Sequence, residues 1–332
     1  MHLQFLRAGK LIFSPHEFGA PHLRGIETAL IQLTRALAAR GHRVEVFTNH
    51  TAETEDNGVH WRPIPRRLPP SDAVIAVNDH ALLRHSNAPR RVLWLHNIQP
   101  FDKIIRKGGL PSLLRYRPVT VVSSDYHAAQ LSPMSAPFGR RVIPLGLNEV
   151  FLSATDTPRP APPPVAAFLT QRYRGFDALA AVWKQNIHPV FPEARLITTI
   201  APQPYAAALS AIGIECLAPL PWPALADKLQ NIRVAVFPWD KPETYCLAAA
   251  EAAALGIPII TRNTGAVAER VQQGVTGFIC NTEAELCSAV YSVLHDDALW
   301  RTLHQGALNA RGRYENWHAI AARWEQLLNP LG

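Results

Sequence analysis

Cysteine is scarce in this chain. The 332 residues hold four, Cys216, Cys246, Cys280 and Cys287, and no two share the short spacing of a metal-binding pair. That excludes a disulfide framework of the small secreted kind and a cysteine-held structural zinc, so the thiols read as reduced and mostly buried. No window approaches eighteen uninterrupted apolar residues, and the first residues lack a secretory apolar segment with a small-residue cleavage site. The expectation is a cytoplasmic protein, soluble or peripheral at the inner face of a membrane, that does not span it. No Asp-x-Asp metal motif occurs, and there is no internal repeat. Nor is there the interleaved aromatic and basic stripe of a nucleic-acid groove, so no nucleic-acid partner is expected.

Apolar residues are plentiful, and in one half so is positive charge. A hydrophobic content of 48% over 332 residues is ample for two cores, and two domains are expected. The net charge of +7 is uneven: residues 1–150 hold 19 Lys/Arg against 11 Asp/Glu, a balance of +8, and residues 151–332 hold 14 against 15, a balance of −1. A one-sided field of this kind points to an anionic partner on the first half. Within that half, residues 101–117 interleave Lys103, Arg106, Lys107, Arg115 and Arg117 with Ile104, Ile105, Leu110, Leu113 and Leu114. That pattern fits a solvated basic surface or a contact with an anionic membrane.

The chain is organised around the stretch from Arg233 to Thr261. Arg233-Val-Ala-Val-Phe237 reads as a buried strand, and Pro238 and Pro242 break the chain into a loop. Thr244 is expected to cap a helix whose body, Leu247 to Leu255, is almost all alanine and leucine. Gly256 ends it, and Ile257-Pro-Ile-Ile260 forms the next buried strand. Such a unit puts a helix N-terminus at the carboxyl end of a parallel strand, where open α/β sheets bind ligands and free N–H groups suit phosphate. Glu243 stands at the loop–helix junction and Glu251 eight residues on, roughly two helical turns away. Spacing alone fits a helix-start Glu that favours the dipole and a second, solvated Glu.

The surrounding residues carry more. Glu243-Thr-Tyr-Cys-Leu-x3-Glu251-Ala-x2-Leu-Gly-Ile-Pro-Ile-Ile260, followed by Thr264-Gly-Ala-x2-Glu-x-Val-x2-Gly-x-Thr-Gly-Phe278, resembles the signature block of the family-4 retaining glycosyltransferases, the glycosyl transferases of group 1. Arg24-Gly-Ile-Glu-Thr-Ala-Leu30, with Arg40-Gly-His-Arg-Val-Glu-Val46, is similar to that family's amino-terminal block. Many relatives have two adjacent glycines where this chain has Arg24-Gly25, so a phosphate role there falls to Gly25. Arg141-Val-Ile-Pro-Leu-Gly-Leu-Asn148 is similar to the Pro-Asn-Gly turn that ends the family's first domain, with Leu145 where Asn is usual.

The resemblance implies the α/β fold known as GT-B: two Rossmann-like domains facing each other across a cleft, with a C-terminal helix crossing back to the first domain. The boundaries expected are an acceptor-binding domain over 1–152, a proline-rich linker over 153–164, a nucleotide-sugar domain over 165–315 and the terminal helix over 316–332, with Trp317 or Trp324 packing on the first domain. By the same resemblance the donor is a nucleotide-diphosphate sugar such as a UDP- or GDP-hexose, and no metal or other cofactor is needed. Glu243 would bind the donor sugar hydroxyls and Glu251 the ribose. The backbone at Thr244, Tyr245, Cys246 and Leu247 would face the donor, and Gly25 its diphosphate. His96 is similar to the inter-domain histidine that touches the donor sugar. Arg172 and Arg174 are both candidates for gripping the diphosphate, since the loop that holds these cations in the family is shortened here. The acceptor is expected to be a saccharide or a lipid-linked glycan of the cell envelope. An NDP-sugar epimerase of related fold, and a non-catalytic scaffold of the same fold that binds a polyanion, remain the alternatives.

Overall fold

Short runs of Val, Ile, Leu, Ala and Phe make the strands, and amphipathic stretches return the chain between them. The computed structural model describes all residues except 20–22, 50–51, 101–103, 106–107, 154–158, 200–205, 219, 239–240 and 330–332, and gives the backbone alone at 206. The chain divides into two units, Met1–Gly146 with Glu315–Gly332, and Leu147–Tyr314.

Among the described residues the first unit has eight strands: β1 His2–Arg7, β2 Arg43–Thr48, β3 Thr54–Asp56, β4 Val59–Pro63, β5 Ala73–Val77, β6 Arg90–Trp94, β7 Val119–Val122 and β8 Arg140–Val142. They lie in the order β3-β4-β2-β1-β5-β6-β7-β8, parallel throughout except for β3 against β4. Phe5 on β1 is in register with Val46 on one side and Ile75 on the other. β5 is buried at every position, as befits a parallel strand covered on both faces. The first helix, Gly25–Ala39, turns Ala29, Leu30, Leu33 and Leu37 inward.

The last helix, Trp317–Leu328, belongs to this first unit, with the Asn316 side chain capping it. Both expected tryptophans pack there. Trp324 meets Trp94 edge-on with ring centroids 5.1 Å apart, and Trp317 lies so close to Gly146 that any Cβ at 146 would sit 2.8 Å from its backbone. Glu325 accepts from Arg40 at 2.6 and 2.8 Å and pairs with His42 at 2.8 Å. The hydrogen bond from Arg40 pulls its carboxyl down to about 2.

Six strands make the second unit: β9 Val165–Phe168, β10 Arg195–Thr198, β11 Ile214–Cys216, β12 Val234–Phe237, β13 Ile259–Arg262 and β14 Gly277–Cys280. The order β11-β10-β9-β12-β13-β14, all parallel, is the doubly wound Rossmann order. One face is covered by Phe176, Leu179, Trp183, Leu286, Val290 and Trp300. The other is covered by Ala226, Leu229, Ala249 and Ala252.

The first unit ends at Gly146, ahead of the expected residue 152. The reason is Phe151, fully buried on the short helix Glu149–Leu152 within the core of Ala167, Ala235 and Ala249. Of the expected linker, residues 154–158 lie outside the described residues. The remainder is tied to the second unit, because Arg233 Nε donates to the Pro162 carbonyl at 2.6 Å and Arg159 stacks over Trp300 at 5.6 Å.

Candidate active site

In the second unit the chain leaves β9 in one direction and β12 in the other, so the strand order reverses between these two neighbours. A crevice opens outside their carboxyl ends in any sheet of this kind. After β9 come Thr170, the turn Arg172–Arg174 and Gly175, whose φ of +96° lets the chain swing into the helix Phe176–Val182. After β12 come the loop 241–246 and the helix Leu247–Ala254.

Glu243 lies at the meeting point of the two loops. Its carboxylate is 3.2 Å from Arg174 Nε and accepts from the Thr170 hydroxyl at 3.5 Å. Arg174 also reaches the Lys241 and Pro242 carbonyls, each at 3.4 Å. Arg172 goes elsewhere: it pairs with Asp177, on the first turn of the next helix, at 2.8 Å, and both side chains are exposed. Of the two expected arginines, then, Arg174 converges with Glu243. The Glu243 loop is braced from behind, where its carbonyl accepts the Ala266 N–H at 2.9 Å. Gly265 there has φ +79°, and a Cβ on it would lie 2.8 Å from the Glu243 nitrogen.

The helix begins later than expected. Leu247 is its first residue, and Cys246 stands at the cap with φ +65° and no side-chain cap bond, so Thr244 does not cap it. Glu243 is therefore on the loop rather than on a face shared with Glu251. Pro242 and the left-handed turn at Cys246 keep the intervening residues out of the helical ladder. The Cys246 thiol is buried beside Glu243, and burial first, with the Glu243 charge second, pushes its ionisation well up. The first-turn N–H groups of this helix have no intrahelical acceptor and form the positive end of its dipole.

Glu251 is half-buried amid alanines, and its carboxylate makes no hydrogen bond or ion pair among the described residues. Burial pushes its carboxyl up to about 7. Tyr245 is buried close by, its phenol pushed up to about 12 chiefly by desolvation. A carboxylate held among apolar neighbours without a partner is suited to accept hydroxyl donors from a ligand.

Gly25 and His96 belong to the first unit. Gly25 is exposed as the first residue of its helix. His96 follows β6, and its N–H donates to the Asn78 side chain at 2.7 Å. Its ring is 7% exposed and lies 4.3 Å from that of Trp94. Burial, with His127 and Arg7 adding to it, pushes the imidazole down to about 3, so it is neutral at ordinary pH. Of the 101–117 segment, Lys103, Arg106 and Lys107 lie outside the described residues. Ile105 and Leu114 are 51% and 55% exposed, and Arg115 and Arg117 are exposed as well. No helix is long and apolar enough to cross a membrane among the described residues.

Thr170, Gly265 and the buried Arg270 escape a sequence reading of the site. Gly265 alone carries a signal there, as a glycine in the second loop of the signature block.

Residues 165–296 match the family model described as glycosyl transferases group 1, and residues 23–182 match that of glycosyltransferase family 4. Over 115 residues the chain is 29% identical to D-inositol 3-phosphate glycosyltransferase 1 of Catenulispora acidiphila, a stretch covering 34% of this chain and 25% of that protein. The match thus spans about a quarter of that relative's length. Among solved structures, sucrose-phosphate synthase from Thermosynechococcus elongatus superposes with a TM-score of 0.76 at 19% identity, covering 100% of this chain and 99% of the other. HepE of Anabaena, in complex with UDP and glucose, gives 0.73 at 16%, covering 99% of each chain. WaaG, a glycosyltransferase involved in lipopolysaccharide biosynthesis, gives 0.68 at 12%, covering 99% and 100%. At these identities the structural likeness is one of fold.

Proposed function

The chain belongs to the group-1, family-4 glycosyltransferases with the GT-B fold, and we propose that it moves a hexosyl unit from a nucleotide-diphosphate sugar to a hydroxyl acceptor with retention of configuration. The observation that carries this reading is the convergence of Arg174 and Glu243, 3.2 Å apart, beyond the carboxyl ends of β9 and β12. One group is a fixed cationic fork for phosphate oxygens; the other is an acceptor for sugar hydroxyls. The similar HepE is known in complex with UDP and glucose and with UDP-glucose, which supports a donor of that kind.

Charge develops on the diphosphate as the glycosidic bond breaks, and groups already aimed at it stabilise that state without reorganising. Arg174 takes this role, helped by the N–H groups of the Leu247–Ala254 helix start. Its charge is paired with Glu243 in this structure, and an incoming diphosphate replaces that partner. Glu243 is then free to orient the sugar, while Glu251 accepts from the ribose hydroxyls. Among the described residues no side chain stands out as a nucleophile, so departure and attack on one face, with the leaving phosphate taking the acceptor's proton, is the route preferred. No step passes through a metal. The basic first half, with the exposed Ile105, Leu114, Arg115 and Arg117, favours a lipid-linked or saccharide acceptor met at an anionic membrane surface.

The test is nucleotide release from a panel of UDP-, GDP- and ADP-hexoses by the native protein and by Glu243→Gln and Glu251→Gln. Each variant is expected to be slower by at least ~10-fold, because a hydrogen bond to a charged group is worth about 1.5–3 kcal/mol. Full activity in both removes the assignment. An isomerised free sugar as product, in place of a glycoside, replaces transfer with epimerisation.

A further inference from the structure

The second unit buries two guanidiniums that the proposed chemistry does not use, and of these Arg233 is paired with Asp297. Arg270 is 7% exposed, on the turn Ala268–Arg270 that follows the Gly265 loop. Its Nη1 donates to the Ala266 carbonyl at 2.9 Å, and its plane lies 4.2 Å from the centre of the Tyr245 ring. Among the described residues Nε and Nη2 meet no acceptor in good hydrogen-bond geometry, their polar neighbour being the Tyr245 phenol, and no carboxylate pairs with the group. Beside it, Tyr314, Thr276 and Ala253 line a cavity of about 10 Å³, room for one water at most.

A buried cation with no counter-ion opposes folding, and an apolar side chain of similar volume would fill the space without that penalty. Arg270 is therefore not explained by the core it sits in. Its contacts lead to the donor loop instead. The Ala266 carbonyl it holds belongs to the residue whose N–H donates to Glu243 at 2.9 Å. The ring it covers is two residues beyond Glu243. Gly265, between these contacts, packs directly on the Glu243 backbone. One side chain thus grips both strands of the brace behind the carboxylate.

We infer that Arg270 is a positioning residue: it clamps the Glu243–Tyr245 loop to the Thr264–Ala266 turn and so sets where the Glu243 carboxylate stands, without touching substrate. The inference rests on the role proposed for Glu243.

The experiment combines Arg270→Met and Arg270→Lys with Glu243→Gln. Arg270→Met is expected to melt no lower than the native protein, since it removes an unpaired buried charge, yet to lose at least ~10-fold in kcat/KM for the donor. Its affinity for the free nucleoside diphosphate should stay within about twofold, because Arg174 and Glu251 hold that ligand. Arg270→Lys keeps the charge but not the fork that reaches both Ala266 and the Tyr245 face, so its loss should be intermediate. In the Glu243→Gln background neither substitution should lower kcat/KM further, since the effect passes through that carboxylate. Native kcat/KM in Arg270→Met, or equal losses in both backgrounds, overturns the inference. So does a melting temperature that falls in step with activity. Should Arg270→Met not fold, Arg270→Lys in the two backgrounds tests the same coupling. Undiminished activity in Glu243→Gln alone would instead defeat the site reading beneath it.

Discussion

Gly265→Ala isolates the brace behind Glu243. The residue has φ +79°, a region where a residue with a Cβ costs roughly 1–2 kcal/mol. The added carbon would stand 2.8 Å from the Glu243 nitrogen, 3.1 Å from its carbonyl oxygen and 3.1 Å from the Pro242 Cα. All three are backbone atoms, so no side chain can swing aside. Restoring contacts of about 3.5 Å requires the two loops to part by roughly half an ångström or more. That stretches the Ala266–Glu243 hydrogen bond, worth about 0.5–1.5 kcal/mol net, and moves the carboxylate with its loop. Misplacement approaching 1 Å costs up to about 10²-fold in rate, so kcat/KM should fall by ~10- to 100-fold. Gly274→Ala is the control: it has φ +72°, a similar strain, but nothing within 4 Å of its Cβ position. Thermal melting and donor-dependent nucleotide release should then separate the two. Both variants lose stability; only Gly265→Ala loses turnover. Equal activity in the two would refute the argument that this glycine sets the Glu243 loop.

Arg174→Ala should weaken the nucleoside diphosphate far more than the nucleoside in calorimetry, and Arg172→Ala, whose guanidinium is engaged by Asp177, should do less. Equal losses for both ligands would remove Arg174 from the phosphate. Glu251, with its carboxyl raised to about 7, must ionise to accept the ribose, so nucleotide affinity should rise between about pH 6 and pH 8 with proton release. The raised value also means that its contribution to folding is complete below the unfolded carboxyl range and is lost as pH climbs through 7; a pH-independent affinity, or one unchanged in slope by Glu251→Gln, contradicts this. Sedimentation with anionic vesicles should capture the protein at low salt and release it at high salt, each basic residue near the leaflet contributing about 1 kcal/mol. Failure to bind anionic vesicles at low salt rules out the membrane reading.

The central unit is legible in the sequence because its signals are local. Phe237, the alanine run to Ala254, Gly256 and Ile259 follow one another and need no distant partner to be read. The same holds for Gly25–Ala39 and for the strands whose apolar runs are uninterrupted. β8 escapes because Arg140, Arg141 and Val142 are all exposed at the sheet edge and show no alternation. The start of the 247–254 helix misleads because Thr244 is a good cap by composition, and only the positive φ at Cys246 reveals otherwise. In the site, Glu243 and Glu251 can be named from the signature block. That Arg174 rather than Arg172 meets Glu243 cannot, since the pair is 69 residues apart and is chosen by strand order. Arg270 leaves no trace at all: an arginine in a turn looks solvated until its burial is known.

The placement of the Trp317–Leu328 helix has a consequence for how this protein is made. The first unit is written in two instalments, with the whole of Leu147–Tyr314 between them. A ribosome adding about 5–20 residues per second needs roughly ten to thirty seconds to cross that interval. Through all of it the nascent first unit lacks Trp324 against Trp94, Trp317 against Gly146 and the Glu325 partner of Arg40. The second unit, being continuous, can close in that time. The first unit keeps the Trp94 face uncovered until the Trp317–Leu328 helix has been made, so its packing closes after that of the segment inserted into it.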